Sequence, residues 1–277
     1  MKCKIVADSS ANIYERDGVD FASVPLKIIT AEREFPDIKG TNIPEMINYL
    51  QDYSGKSGTS CPNVANWLEA FGDADLILGV TITSNLSGSF SSAMHAKRDY
   101  ETAHKNANIH IVDSLSAGPE LELIIEKMEE VIQSGQDFKE MVRDITDYCK
   151  HTHLLFALKN LDNLARNGRV SPAMARIARL MGIRIVGKAS GEGTLQELHR
   201  CRGEAQSVSR IWDEMQKHGY NGGKVRLAHC LNPQIAKNLA DTIHRSYPEA
   251  DVRITHCTAL CSFYAEKGGL MIGYEGA

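Results

Sequence analysis

The sequence predicts an α/β protein of two domains with largely parallel sheet. Three observations lead there. Short apolar runs recur along the 277 residues and are separated by segments of helical period. Several runs end in Asp, Ser or Thr, as strands do when their carboxyl ends open onto functional loops. Hydrophobic residues make up 43% and charged residues 24%, the balance of a globular chain with room for two modest domains.

The first run, 4–10, reads Lys4-Ile5-Val6-Ala7-Asp8-Ser9-Ser10, a strand closing in an acid and two hydroxyls. Further strands are expected at 24–29, 76–82, 109–112, 154–158, 183–186 and 225–229. Helices are expected at 62–71, 90–100, 119–134, 138–148, 172–181, 204–218 and 233–247. The clearest is 119–134. Leu121, Ile124, Ile125, Met128 and Ile132 form one stripe, with Glu122, Glu126, Glu129 and Glu130 off it. Pro119 suits its first turn and Gly135 its stop. The seam is expected near His151-Thr152-His153, where a helical stretch gives way to a strand, dividing 1–152 from 153–277.

Composition removes several function classes. The formal net charge is −4, and no aromatic residues interleave with the basic ones, so no nucleic-acid partner is expected. No apolar stretch is long enough for a transmembrane segment. The opening run Ile5-Val6-Ala7 is cut by Asp8, so no signal peptide is expected. Seven cysteines without CxxC spacing read as reduced thiols of a cytoplasmic protein. His256-Cys257 with Cys261, and His229-Cys230, lack the second spaced pair of a zinc site. The nucleotide motifs GxxxxGK[ST] and GxGxxG are absent, as is the esterase elbow GxSxG.

Chemistry is expected in the loops after strands. The loop after 76–82 reads Thr83-Ser84-Asn85-Leu86-Ser87-Gly88-Ser89-Phe90-Ser91-Ser92 and runs into a helix. Free amides and the positive dipole end favour a carboxylate or phosphate there. Ser87 or Ser89 acting only as an N-cap explains the same residues. Gly58-Thr59-Ser60-Cys61-Pro62-Asn63 is a second hydroxyl loop, readable as an N-cap with Pro behind it or as a donor to the same anion. Cys61 is either a reactive thiol or a small packing residue. Asp8-Ser9-Ser10 and Asp113-Ser114 are two more polar strand ends, and all four can converge on one cleft. A Ser- or Cys-dependent hydrolase, or a phosphoryl-transfer enzyme, using these loops stays open. Arg166, Arg169, Arg176, Arg179 and Arg184 fall in a short span, with Lys188, Arg200 and Arg202 beyond. They read either as a docking patch or as a solvated face.

Together these segments resemble the DegV family of bacterial fatty-acid-binding proteins, the lipid-binding partners of fatty acid kinase. Lys4-Ile5-Val6-Ala7-Asp8-Ser9-Ser10 is similar to the family's first strand, and Thr59-Ser60-Cys61-Pro62-Asn63 to its T-S-Q-P-S loop. Residues 84–93 are similar to S-x-L-S-G-T-Y-x-S-A, Asp113-Ser114 to the D-S/T pair, and residues 161–171 to L-x-x-L-x-x-G-G-R-I-S. The resemblance implies a carrier rather than a catalyst, with a long-chain fatty acid in a tunnel between two α/β domains and no other cofactor. It implies that Thr59 and Ser92 hold the carboxylate, with Ser87, Gly88 and Ser91 beside them. It implies that a separate fatty acid kinase makes the acyl phosphate and docks at Arg200 and Arg202, with Arg169 as a further contact. Cys61, Asn63 and Asn167 depart from the family pattern. Ala265 is aligned with a family histidine that helps hold the head group, which leaves the third head-group contact unassigned.

Overall fold

The computed structural model describes residues 2–277. In chain order the first half contains β1 (Cys3–Asp8), β2 (Asp20–Val24), β3 (Lys27–Ile29), β4 (Glu34–Pro36), α1 (Ile43–Asp52), β5 (Gly58–Ser60), α2 (Val64–Phe71), β6 (Leu76–Thr81), α3 (Ser89–Ala103), β7 (Asn108–Asp113), α4 (Pro119–Gln133) and α5 (Phe138–Tyr148). The second half contains β8 (Thr152–Leu158), α6 (Asp162–Arg166), α7 (Pro172–Met181), β9 (Arg184–Ala189), β10 (Leu195–Cys201), α8 (Gly203–Lys217), β11 (Val225–His229), α9 (Pro233–Ser246), β12 (Val252–His256), α10 (Ala259–Ala265) and β13 (Leu270–Glu275).

These elements form two α/β domains. The first sheet, ordered β2-β1-β6-β7, is parallel throughout, as expected. The second, β10-β9-β8-β13-β11-β12, departs from that expectation: only β11 and β12 pair in parallel. The cause is connection length. The turn at 190–194 returns β10 beside β9 as an antiparallel hairpin, and β13 enters between β8 and β11 antiparallel to both. A third sheet, β4-β3-β5, is small and antiparallel. The run expected as one strand at 24–29 is broken at Pro25-Leu26 into β2 and β3, which lie in different sheets. Pro25 has no amide to give a ladder, and the Leu26 amide donates instead to Ser9 Oγ at 3.0 Å.

The seven expected helices are all present, each with a local reason. Asn63 and Asn66 form a capping box on α2, and Asp137 and Glu140 another on α5. Ser171 caps α7 ahead of Pro172, and Gly182 ends it in the left-handed region. None of these helices is long and apolar enough to cross a membrane, nor is any other among the described residues.

α4 joins the two domains. Leu121, Ile124, Ile125 and Met128 pack on Ile5, Leu78 and Val80 of the first sheet. Glu122 and Glu126 on the acidic side of α4 are buried as well, against the second domain. Arg226 on β11, 1% exposed, donates Nε and Nη2 to the two Glu126 carboxylate oxygens at 2.8 Å each. Arg16 makes the same bidentate bond to Glu129 at 2.6 Å.

Glu120, at the start of α4, is 5% exposed and accepts from Ser116 Oγ at 2.5 Å and Thr152 Oγ1 at 2.9 Å. Burial outweighs these two bonds and pushes its pKa up from 4.5 to about 7. Between those values the unfolded chain releases a proton that the folded chain keeps. Stability therefore falls as pH rises through this window, by about 3 kcal/mol from this group. Thermal or urea unfolding from pH 5 to 8 measures it. Glu120→Gln should flatten the curve, and an unchanged slope would assign the pH dependence elsewhere.

Candidate functional site

A cavity of about 300 Å³ lies between the two domains. One part of its wall is apolar: Leu154, Phe156 and Leu158 along β8, Leu195, Met271, and Leu26, Ile82, Ala117 and Leu260 facing them. The polar part gathers Thr59, Ser60 and Cys61 at the end of β5, Leu86, Ser87 and Gly88 before α3, and Arg169, Tyr264 and Ala265 from the second domain. Arg169 is the only charged residue of the lining among the described residues, and no histidine or carboxylate lines it.

The polar wall is held from behind by three acids, of which Asp8 and Asp37 are fully buried. Asp8, at 0% exposure, accepts from Ser89 Oγ at 2.6 Å, the Ile82 amide at 3.0 Å, and both the amide and the hydroxyl of Ser10. It thereby ties the ends of β1 and β6 to the start of α3. Burial raises its pKa to about 6 despite these donors. Asp113 orders the next loop through the Ser84 and Leu115 amides at 3.0 and 3.2 Å. Asp37 receives the Ala259 amide at 2.7 Å and Tyr14 OH at 2.6 Å, which fixes the start of α10 and hence Tyr264. Of the four polar strand ends singled out from sequence, two line the cavity and two brace it.

Thr59 Oγ1 lies 2.8 Å from Tyr264 OH. Burial pushes the Tyr264 phenol up, with the Thr59 bond and the Arg169 charge opposing, so the ring remains a neutral donor. Arg169 donates Nε and Nη2 to the Leu86 carbonyl at 3.2 and 3.0 Å, and Nη1 to the Asn167 carbonyl. This bridges the domains at the polar end and places Arg169 in the cavity wall. Gly88, the residue before α3, makes no side-chain cap, and Ser87 Oγ accepts the Ser89 amide at 3.3 Å. Ser87 and Gly88 thus bring the positive end of the α3 dipole to the cavity wall.

The remaining expected site residues fall elsewhere. Ser91 is exposed and Ser92 half-buried, and neither lines the cavity. The chain is already helical there, with the Ser92 amide bonded to the Gly88 carbonyl at 3.0 Å. Arg200 is exposed on β10 and paired with Glu197 at 2.5 Å. Arg202 is exposed, its amide bonded to Gln206 at 2.6 Å. Ala265 lines the cavity with a methyl group only, and its neighbour Tyr264 supplies a hydroxyl. Sequence reasoning missed Tyr264 because α10 shows no long periodic pattern; an aromatic beside the aligned position was the available signal. All seven cysteines are free thiols, and no group of three or more ligating side chains is placed to hold a metal among the described residues.

Comparison with known proteins adds relatives along the whole chain. A family model described as an uncharacterised protein of the DegV family matches residues 2–276. A DegV domain-containing protein of Streptococcus pyogenes serotype M1 is 40% identical over 99% of this chain and 100% of its own. The crystal structure of a DegV family protein from Eubacterium eligens loaded with heptadecanoic acid superimposes with a TM-score of 0.97 at 40% identity, covering 99% of this chain and 100% of that one. The fatty acid kinase B3 protein of Streptococcus pneumoniae loaded with linoleic acid does so with a TM-score of 0.98 at 41% identity, covering 100% of each chain.

Proposed function

The chain belongs to the DegV family, and from that premise we propose that it holds a long-chain fatty acid in the cavity between its domains, divided near Thr152. The carboxylate sits at the polar end and the acyl chain runs along β8. The observation that carries this reading is the cavity's division into an apolar wall and one cluster of neutral hydroxyls beside a single arginine. Each buried methylene contributes about 0.8 kcal/mol, so the acyl chain supplies most of the affinity. The carboxylate needs donors, because burying it unpaired is costly. Thr59 and Tyr264 can both turn their hydroxyl protons to one carboxylate. Arg169 supplies charge nearby, and Ser87 and Gly88 bring the loop ahead of α3. The relatives crystallised with heptadecanoic and linoleic acid support the same ligand class.

The acid is carried unchanged to a separate fatty acid kinase, which forms the acyl phosphate while docked over the exposed Arg200 and Arg202, in the cytoplasm. A hydrolase reading is less well supported, since no histidine or carboxylate lines the cavity to serve as a base.

Organic extraction of the purified protein followed by mass spectrometry tests the proposal, with kinase coupling read in parallel. Stoichiometric fatty acid is expected from the wild type. Thr59→Ala and Tyr264→Phe should each weaken retention by about 10- to 100-fold, as for a hydrogen bond to a charged group. Arg202→Ala should keep its lipid and lose acyl phosphate formation. A protein that extracts empty and hydrolyses esters would replace the carrier with an enzyme. An Arg202→Ala variant that sheds its lipid would refute the separation of binding from docking.

A further inference from the structure

The end of the cavity away from Thr59 and Tyr264 is closed by a flexible side chain backed by a rigid stop. Successive residues of β13 point to opposite faces. Leu270 and Ile272 are fully buried in the core beneath α8 and α9, whereas Met271 turns to the other face, is only half-buried and lines the cavity. Two residues on, Gly273 lies under the start of α4. A Cβ there would fall 2.5 Å from the Glu120 nitrogen and the Pro119 carbonyl. The α4 backbone rests directly on the strand, so an acyl chain has no path beyond this point. Gly118, at φ +63°, turns the chain into α4, and a Cβ on it would meet Met271 Cε at 2.6 Å and Sδ at 3.3 Å. The Met271 thioether is therefore wedged between that turn and the cavity.

The polar residues lie at the opposite end. Leu154 pairs with Gly273 and Phe156 with Met271 along β8. Ala265, next to Tyr264, packs its carbonyl on Gly269, beyond the pairing of Leu270 with Ala157. The cavity thus runs from Tyr264 past Leu158 and Phe156 to Leu154, a floor of about 13 Å at the usual strand rise, and the Met271 side chain reaches from beside Phe156 to the Gly118 turn at its far end.

We propose that Met271 is the chain-length stop of the fatty-acid site: the terminal methyl of the acyl chain abuts its thioether, and the shape of this side chain sets how many methylenes are accepted. The assignment rests on the fatty-acid reading above. Methionine suits the place because it is unbranched and rotates about three bonds, so it yields by small steps where the α4 backbone cannot. Each further buried methylene is worth roughly a fourfold preference. Truncation to alanine vacates room for about two of them, which corresponds to roughly a tenfold gain of longer over shorter acids.

The test is a competition. Wild type, Met271→Ala and Met271→Phe are each equilibrated with an equimolar mixture of straight-chain saturated acids from dodecanoic to eicosanoic, and the bound acids are identified by mass spectrometry. Met271→Ala should shift the bound distribution to longer chains and Met271→Phe to shorter ones. Total bound acid and the thermal unfolding of each variant are read alongside, which guards against mistaking lost fold for lost selectivity. Full occupancy with one distribution in all the proteins, or shifts of the same sign in the alanine and phenylalanine variants, would overturn the role of Met271 and leave the lipid site standing. A wild type that takes up no acid would overturn the site itself, and this assignment with it.

Discussion

Replacing Ala117 with phenylalanine should empty the cavity. Ala117 is half-buried in its wall, just before the Gly118 turn, and packs with Leu26, Ile82 and Leu260. A phenyl ring there has the cavity as its available space and takes the place of about six methylenes of an acyl chain, a loss of roughly a few thousandfold in affinity at about 0.8 kcal/mol each. The ring would replace one apolar filling by another, so the fold should persist with a melting temperature near that of the wild type. Displacement of a fluorescent fatty acid, read beside thermal unfolding, measures both. Stoichiometric lipid on a folded Ala117→Phe protein would mean that the acyl chain lies elsewhere.

The second large effect is on stability. Arg226→Ala should cost about 3 kcal/mol, the low end of the loss on breaking a buried ion pair, because Arg253 at 3.2 Å, Lys224 at 3.6 Å and Arg16 at 3.8 Å still face Glu126. Arg226 faces Glu126 at 2.8 Å and Asp251 at 2.7 Å, and it also donates to the carbonyls of Val225 and Asp251. Glu122 lies beside them, its pKa raised first by burial and next by Glu126, so losing Arg226 removes one of the cations that hold these two neighbouring acids apart. Urea unfolding measures the loss. Arg226→Met combined with Glu126→Leu should recover most of it, because an apolar pair of similar size needs no compensating charge. A loss under about 1 kcal/mol would mark the network as solvated, like a surface pair.

The two predictions mark where sequence reading succeeds and where it stops. The stripe Leu121, Ile124, Ile125 and Met128 identified α4 and its apolar face, and that face packs on the first sheet. The same pattern set Glu122 and Glu126 apart as the polar side, yet both are buried, at 4% and 5% exposure. Helical period reports which residues share a face; it does not report that a second domain lies against the polar one. β13 carried no recognisable pattern because it is buried on both faces along much of its length and interrupted by Gly273. In the site, the hydroxyl loops at Thr59 and Ser87 were legible as strand ends before helices. Tyr264 was not, because its role depends on meeting a residue 205 positions away.

Local chemistry, then, was enough to settle the helices with their caps and the polar ends of the first sheet's strands, since each depends on residues a few positions apart. Packing in three dimensions settled which apolar side chains surround a cavity and which fill a core, because the hydrophobic effect has no direction and favours both placements alike. It also settled which carboxylates are buried. Burying a charge is tolerable only beside an opposite one, and for Glu126 those partners are Arg226 and Arg253, 100 and 127 residues further along the chain.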